Sequence, residues 1–130
     1  LKDNNYEKGN YVQPTLFDNV DPKSLIATEE IFGPVLGLID AEDYDQSIKI
    51  ANDTSYGLSA GIFTSNLNLA MEFANNIDAG IVKINGETAG VEPQVPFGGM
   101  KESSSGAREQ GKSAVEFFTQ TKTIYVERSA

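Results

Sequence analysis

The chain has 130 residues, 39% of them hydrophobic and 22% charged, a composition that supports a packed core and argues against disorder. Nineteen acidic against ten basic residues leave a formal charge of −9, which repels phosphate backbones and anionic membranes at long range and argues against nucleic-acid and membrane partners. With no cysteine and no histidine, disulfides, thiolate metal sites and a serine–histidine relay are excluded within this segment.

No apolar run approaches the ~20 residues that span a bilayer, and no signal peptide or lipidation motif is visible, so a cytoplasmic location is expected. The first residue is Leu1 rather than methionine, and a truncated chain or an internal start is expected. Residues 12–17 read as a short strand that Pro14 confines to an edge. The apolar run 35–39 reads as a buried strand. Asp40 is placed to cap the next helix, with Asp43 near its positive end, and Ala41, Tyr44, Ile48 and Ala51 form its apolar face. Residues 58–64 form the next strand. Asn66 then caps a second helix whose face is Leu67, Ala70, Met71, Ala74 and Ile77. Gly80 ends this unit, and 81–84 is a further strand.

This β-α-β-α-β order predicts an α/β fold with parallel strands and helical crossovers. Ligands of such sheets lie at the carboxyl ends of the strands. Asn85 and the loop 86–99 follow a strand directly, so the loop is either an active-site surface or an ordinary long surface loop. A last helix is expected over 105–119, with Ala107, Gly111, Ala114, Val115 and Phe118 inward. An alternating terminal strand follows over 121–126, from Thr121 through Ile124 to Val126. Such a strand needs a partner edge, within the fold or on another subunit.

Candidate chemistry centres on Glu29-Glu30-Ile31-Phe32-Gly33-Pro34-Val35, two carboxylates and an aromatic ring before a Gly-Pro corner. Alone, Glu30 reads as a solvated surface residue, since the pair lacks the companion ligands of a metal site. Pro96-Phe97-Gly98-Gly99 reads as a turn, because neither Gly-Lys-Ser/Thr nor Gly-x-Gly-x-x-Gly is present. Ser103, Ser104 and Ser105 have no histidine to activate them, and Arg108 and Glu109 read as the start of a helix. Nothing around Lys101 suggests the desolvation of a Schiff-base lysine.

Taken together, these segments say more. Glu29 to Val35, Tyr56-Gly57-Leu58-Ser59-Ala60 with Phe63-Thr64, Ala79-Gly80 with Asn85, Pro96 to Gly99 with Lys101, Arg108-Glu109 and Lys122-Thr123 follow in order. The series resembles the C-terminal quarter of the aldehyde dehydrogenase superfamily over residues 9–126. Within it, Thr88-Ala89-Gly90-Val91, Val95 to Gly99, Ser103-Ser104 and Arg108-Glu109-Gln110-Gly111 are most similar to the 2-oxoglutarate semialdehyde (2,5-dioxopentanoate) dehydrogenases.

The resemblance implies residues 1–120 as an incomplete C-terminal part of a catalytic domain and 121–130 as an oligomerisation strand and tail, serving a homo-oligomer. It implies oxidation of a small-molecule aldehyde to an acid through a cysteine thioester, with NAD or NADP as cofactor. The nucleophile and general base of the family lie upstream, so no catalytic residue is expected here and the chain alone is expected to be inactive. Glu30 matches the residue that accepts hydrogen bonds from the nicotinamide ribose, and Phe32 the aromatic residue beside the nicotinamide. Gly33-Pro34 matches the corner that aims both. Phe97 matches an aromatic wall of the aldehyde tunnel, and the loop 87–95 the region that shapes substrate choice. That loop holds no lysine or arginine for an anionic substrate, and its Glu87 and Glu92 would repel one if turned inward. The rival expectation is a non-catalytic binding or assembly module that retains the fold.

Overall fold

A computed structural model describes residues 9–128 and divides the chain into two compact units, Leu1–Thr54 and Ser55–Ala130. In the first unit, Pro14 has no N–H to give a ladder, and β1 (Thr15–Phe17) begins at the next residue. It pairs in parallel with β2 (Val35–Gly37), Thr15 opposite Val35 and Phe17 opposite Gly37. The connection contains a single helical turn, α1 (Leu25–Thr28), that the residue pattern did not announce. The strand expected over 35–39 is shorter and is not buried: Leu36 is 60% exposed. Among the described residues β1 is its only ladder partner, so neither face is covered the way a central parallel strand requires.

The following helix, α2 (Tyr44–Asn52), starts later than expected. Asp43, not Asp40, is its N-cap, and its carboxylate accepts the Gln46 N–H at 2.8 Å. The Gln46 side chain in turn accepts the Glu42 N–H, a reciprocal closure of the first turn that Asp40 is too far upstream to make. Ala41 therefore lies outside the helix and Ala51 is exposed, leaving Tyr44 and Ile48 half-buried as the face.

Among the described residues, the second unit contains all the buried hydrophobic ones. β3 (Tyr56–Gly57) runs antiparallel to β6 (Met100–Lys101), and β4 (Ser59–Ile62) runs parallel to β5 (Ile81–Ile84). The strand expected over 58–64 is realised only as β4, and the extended run 56–62 changes partner at Leu58. The crossover between β4 and β5 is α3 (Leu67–Asn76), capped as expected by Asn66, which accepts the Asn68 and Leu69 N–H groups. Its buried stripe is Ala70, Phe73 and Ile77, with Ala74 half-buried, continued by Ala79. The expected face missed Phe73, 6% exposed, and included Leu67 and Met71, which are exposed. The stripe at 70, 73, 74 and 77 has the same helical period turned toward its largest ring.

The element order is that of a parallel α/β fold, but the ladders form three two-stranded sheets, not one. The last helix is only α4 (Ser113–Phe118). Gly106, Gln110 and Gly111 have φ of +93°, +69° and +53°, which no α-helix accommodates, and Glu109 is drawn into a bridge with Phe97. Val115 and Phe118 are exposed, so the inward face predicted for this helix is not realised. Residues 121–126 form no ladder with the described residues, and Tyr125 is 87% exposed; a strand with no neighbouring edge has nothing to bond. Among the described residues no helix is long and apolar enough to cross a membrane.

Candidate active-site elements

The acidic-aromatic corner grows out of α1. The Glu29 N–H donates to the Leu25 carbonyl at 2.9 Å, ending the helical turn, and Glu29 is already extended. Three residues on, Phe32 takes φ +55°, the left-handed region that a bulky side chain rarely adopts. The cost is about 1–3 kcal/mol. The turn then closes through Val35 N–H to the Gly33 carbonyl at 2.8 Å and Thr15 N–H to the Pro34 carbonyl at 2.9 Å. Gly33 itself has no positive φ and ample room for a side chain, its nearest neighbour Ile31 Cγ2 lying 3.9 Å from a notional Cβ. The conformational demand expected of the Gly-Pro pair therefore falls on Phe32.

The result is a ring held outward, 90% exposed, with the Glu30 carboxylate exposed two residues before it. Beside them lies an apolar cleft of about 400 Å³, lined by Pro14, Leu16, Gly33, Pro34 and Leu36 among others. A carboxylate offers acceptors to two neighbouring hydroxyl donors, and a ring on a fixed turn offers a flat stop. The residues present fit a cofactor carrying a sugar diol and a flat heterocycle.

Phe97 belongs to the second unit and is built differently. Its backbone exchanges both hydrogen bonds with Glu109, at 2.6 and 3.0 Å. The ring is half-buried and lines a cavity of about 300 Å³ with Leu58, Ser103, Ser104, Glu109 and Phe117. Gly98 and Gly99 after it are buried. A Cβ on Gly99 would sit 2.8 Å from Ser103 Cβ and 3.0 Å from the Gly57 carbonyl, so the backbone passes where no side chain fits.

Three residues whose geometry was not foreseen hold this region. Asn85, with φ +56°, ends β5. Its side chain accepts the Thr64 N–H at 2.7 Å and donates to the Thr64 carbonyl at 2.9 Å, extending the β4–β5 ladder by a side-chain imitation of a strand residue. Ser103 accepts the Gly57 N–H at 2.9 Å, and Ser104 the Gly99 N–H at 2.7 Å. An asparagine directly after a strand is a recognisable signal for Asn85. Nothing in a run of serines says which backbone amide each one meets. Lys101 pairs with Asp78 at 3.5 Å. In the loop 87–95, Glu87 and Glu92 are both exposed. Among the described residues no group of three or more acidic side chains is placed to hold a metal ion.

The aldehyde dehydrogenase family model matches residues 1–124. The chain is 54% identical over 126 residues to the alpha-ketoglutaric semialdehyde dehydrogenase of Bacillus subtilis (strain 168), covering 97% of this chain and 26% of that protein. It is 48% identical over 120 residues to the alpha-ketoglutarate semialdehyde dehydrogenase of Haloferax volcanii, covering 92% of this chain and 25% of that one. The chain thus spans about a quarter of the length of the curated relatives it matches. Among solved structures, a Mycobacterium tuberculosis aldehyde dehydrogenase complexed with NAD+ superposes with a TM-score of 0.83 at 40% identity, over 92% of this chain and 24% of that one. The order of motifs, the α/β elements and these matches agree: the chain belongs to the aldehyde dehydrogenase family.

Proposed function

We propose that this chain is the C-terminal part of a cytoplasmic, homo-oligomeric NAD(P)-dependent aldehyde dehydrogenase. The whole enzyme would oxidise an aldehyde, a semialdehyde such as 2-oxoglutarate semialdehyde, to a carboxylic acid through a cysteine thioester. The observation that carries this reading is the strained, outward-facing Phe32 beside an exposed Glu30. Backbone strain of this kind persists where a function uses it.

A bound nicotinamide would supply the hydride acceptor. In this chain, Glu30 would accept hydrogen bonds from the ribose hydroxyls, and Phe32 would limit where the ring can rest. Phe97 would form a wall for the aldehyde. Glu87 and Glu92, being exposed, leave the anionic end of a semialdehyde to residues outside this chain. The names of the two bacterial and archaeal relatives support the substrate class, and the NAD+ complex of a relative supports the cofactor. Residues 121–126 would supply a strand to a neighbouring subunit, which fits their exposed, alternating side chains.

The purified 130-residue chain is expected to show no aldehyde-dependent reduction of NAD+ or NADP+. Turnover by that chain would refute the division of labour proposed. In the whole enzyme, a substrate panel is expected to rank 2-oxoglutarate semialdehyde first, and a strong preference for an uncharged aldehyde would remove the substrate assignment.

A further inference from the structure

Phe97 is followed by two glycines, the least restrained dipeptide a chain can contain. Its own backbone is tied to Glu109 on one side only. Whatever fixes the ring must also fix the segment after it. The buried Gly99 N–H needs an acceptor, and the one it has is the half-buried Ser104 hydroxyl at 2.7 Å, five residues on. The adjacent Ser103 accepts the Gly57 N–H at 2.9 Å, across a sequence separation of 46. Two consecutive hydroxyls thus tie the glycine pair to β3. Both serines also line the cavity that Phe97 faces.

We propose that Ser104 is a positioning residue for the aldehyde site: through Gly99 it sets the placement of the Phe97 ring and with it the width of the aldehyde channel. The proposal rests on the reading of Phe97 as a channel wall. Loss of the acceptor leaves the buried Gly99 N–H unpaired, and the diglycine, still held by the Met100–Gly57 ladder, shifts enough to move the ring. The effect reaches the aldehyde and not the cofactor, because the link runs only through the segment that carries Phe97.

The test uses the whole enzyme and whichever aldehyde its wild type turns over best. Ser104→Ala is expected to raise the aldehyde KM about tenfold, the scale of a small misfit in an apolar pocket, with the NAD(P)+ KM unchanged. Ser104→Thr keeps the acceptor oxygen and is expected to restore most of the loss. If Ser104→Ala does not fold, Ser104→Cys, of similar shape but a weak acceptor, gives the same readout. Phe97→Ala separates the two layers of the argument. An aldehyde KM raised by Phe97→Ala but not by the Ser104 variants overturns the role of Ser104 alone. An aldehyde KM indifferent to Phe97→Ala overturns the channel-wall reading and the proposal with it. Equal changes in the aldehyde and cofactor KM values reduce Ser104 to a general structural residue and also overturn it.

Discussion

The two units differ in how they hold a candidate site residue. In the second, Phe97 is fixed by ladder bonds, serine acceptors and close glycine packing, near a core of Ala70, Phe73, Ile77 and Ala79. In the first, no described residue is buried, and Phe32 stands in a costly conformation with its ring in solvent. One element carries its own support; the other is a preset turn with its ring in solvent. If the proposed function holds, such a corner would be complete only when the nicotinamide and the rest of the enzyme close on it.

The contrast is broken most severely by Phe73→Ala, which empties the centre of the only buried cluster among the described residues. A loss of about 3–5 kcal/mol is expected. Hydrogen exchange should then accelerate at the β4 and β5 amides while those of β1 and β2 keep their rates. A uniform change would show that the units do not differ in support.

Next in size is Glu30→Ala in the whole enzyme. Losing hydrogen bonds to a charged group, worth about 1.5–3 kcal/mol, should lower kcat/KM for the cofactor roughly 10–150-fold. Aldehyde binding should change little, and unchanged hydride-transfer kinetics would remove Glu30 from the ribose. Asn85→Ala takes both partners from Thr64 and should cost about 1–3 kcal/mol, seen as a lower melting temperature and faster exchange at the Thr64 amide. Asn85→Gly tolerates the left-handed backbone and should recover only the part due to strain.

The smallest effect has opposing signs. Phe32→Gly relieves a left-handed residue, about 1–2 kcal/mol, against the ~0.5–1 kcal/mol entropic cost of glycine. Unit stability should therefore stay level or rise by up to about 1.5 kcal/mol, while hydride transfer in the whole enzyme slows. A variant that loses both would mean that the ring packs within the unit after all.

Local signals were legible where one residue settles the matter. Pro14 before β1, Asn66 at α3 and the strand 81–84 follow from residue chemistry alone. Asp40 lost to Asp43 because Asp43 is the residue that has Gln46 three positions later to complete the turn. The face of α3 rotated because packing follows the largest ring available, which a count of periodic positions does not weigh. The helix over 105–119 failed for a tertiary reason: Glu109 is taken by Phe97, a contact that no local pattern contains. At the site, Glu30, Phe32 and Phe97 came as expectations from the family resemblance, while the strain on Phe32 and the acceptors Ser103 and Ser104 emerge only with the backbone path.

The change of partner at Leu58 has a mechanical consequence. A single extended run pairs first with β6, just past the Phe97 turn, and then with β5, which leads into the loop 86–95. The two segments are thus mounted on one spine with one residue of spacing between their ladders. Lengthening that spacer by a residue would slide one mounting past the other by about 3.3 Å and turn the following side chains to the opposite face. Leu58 is in this sense a gear tooth: its side chain can be exchanged, but the count of residues there cannot change without putting the two segments out of phase.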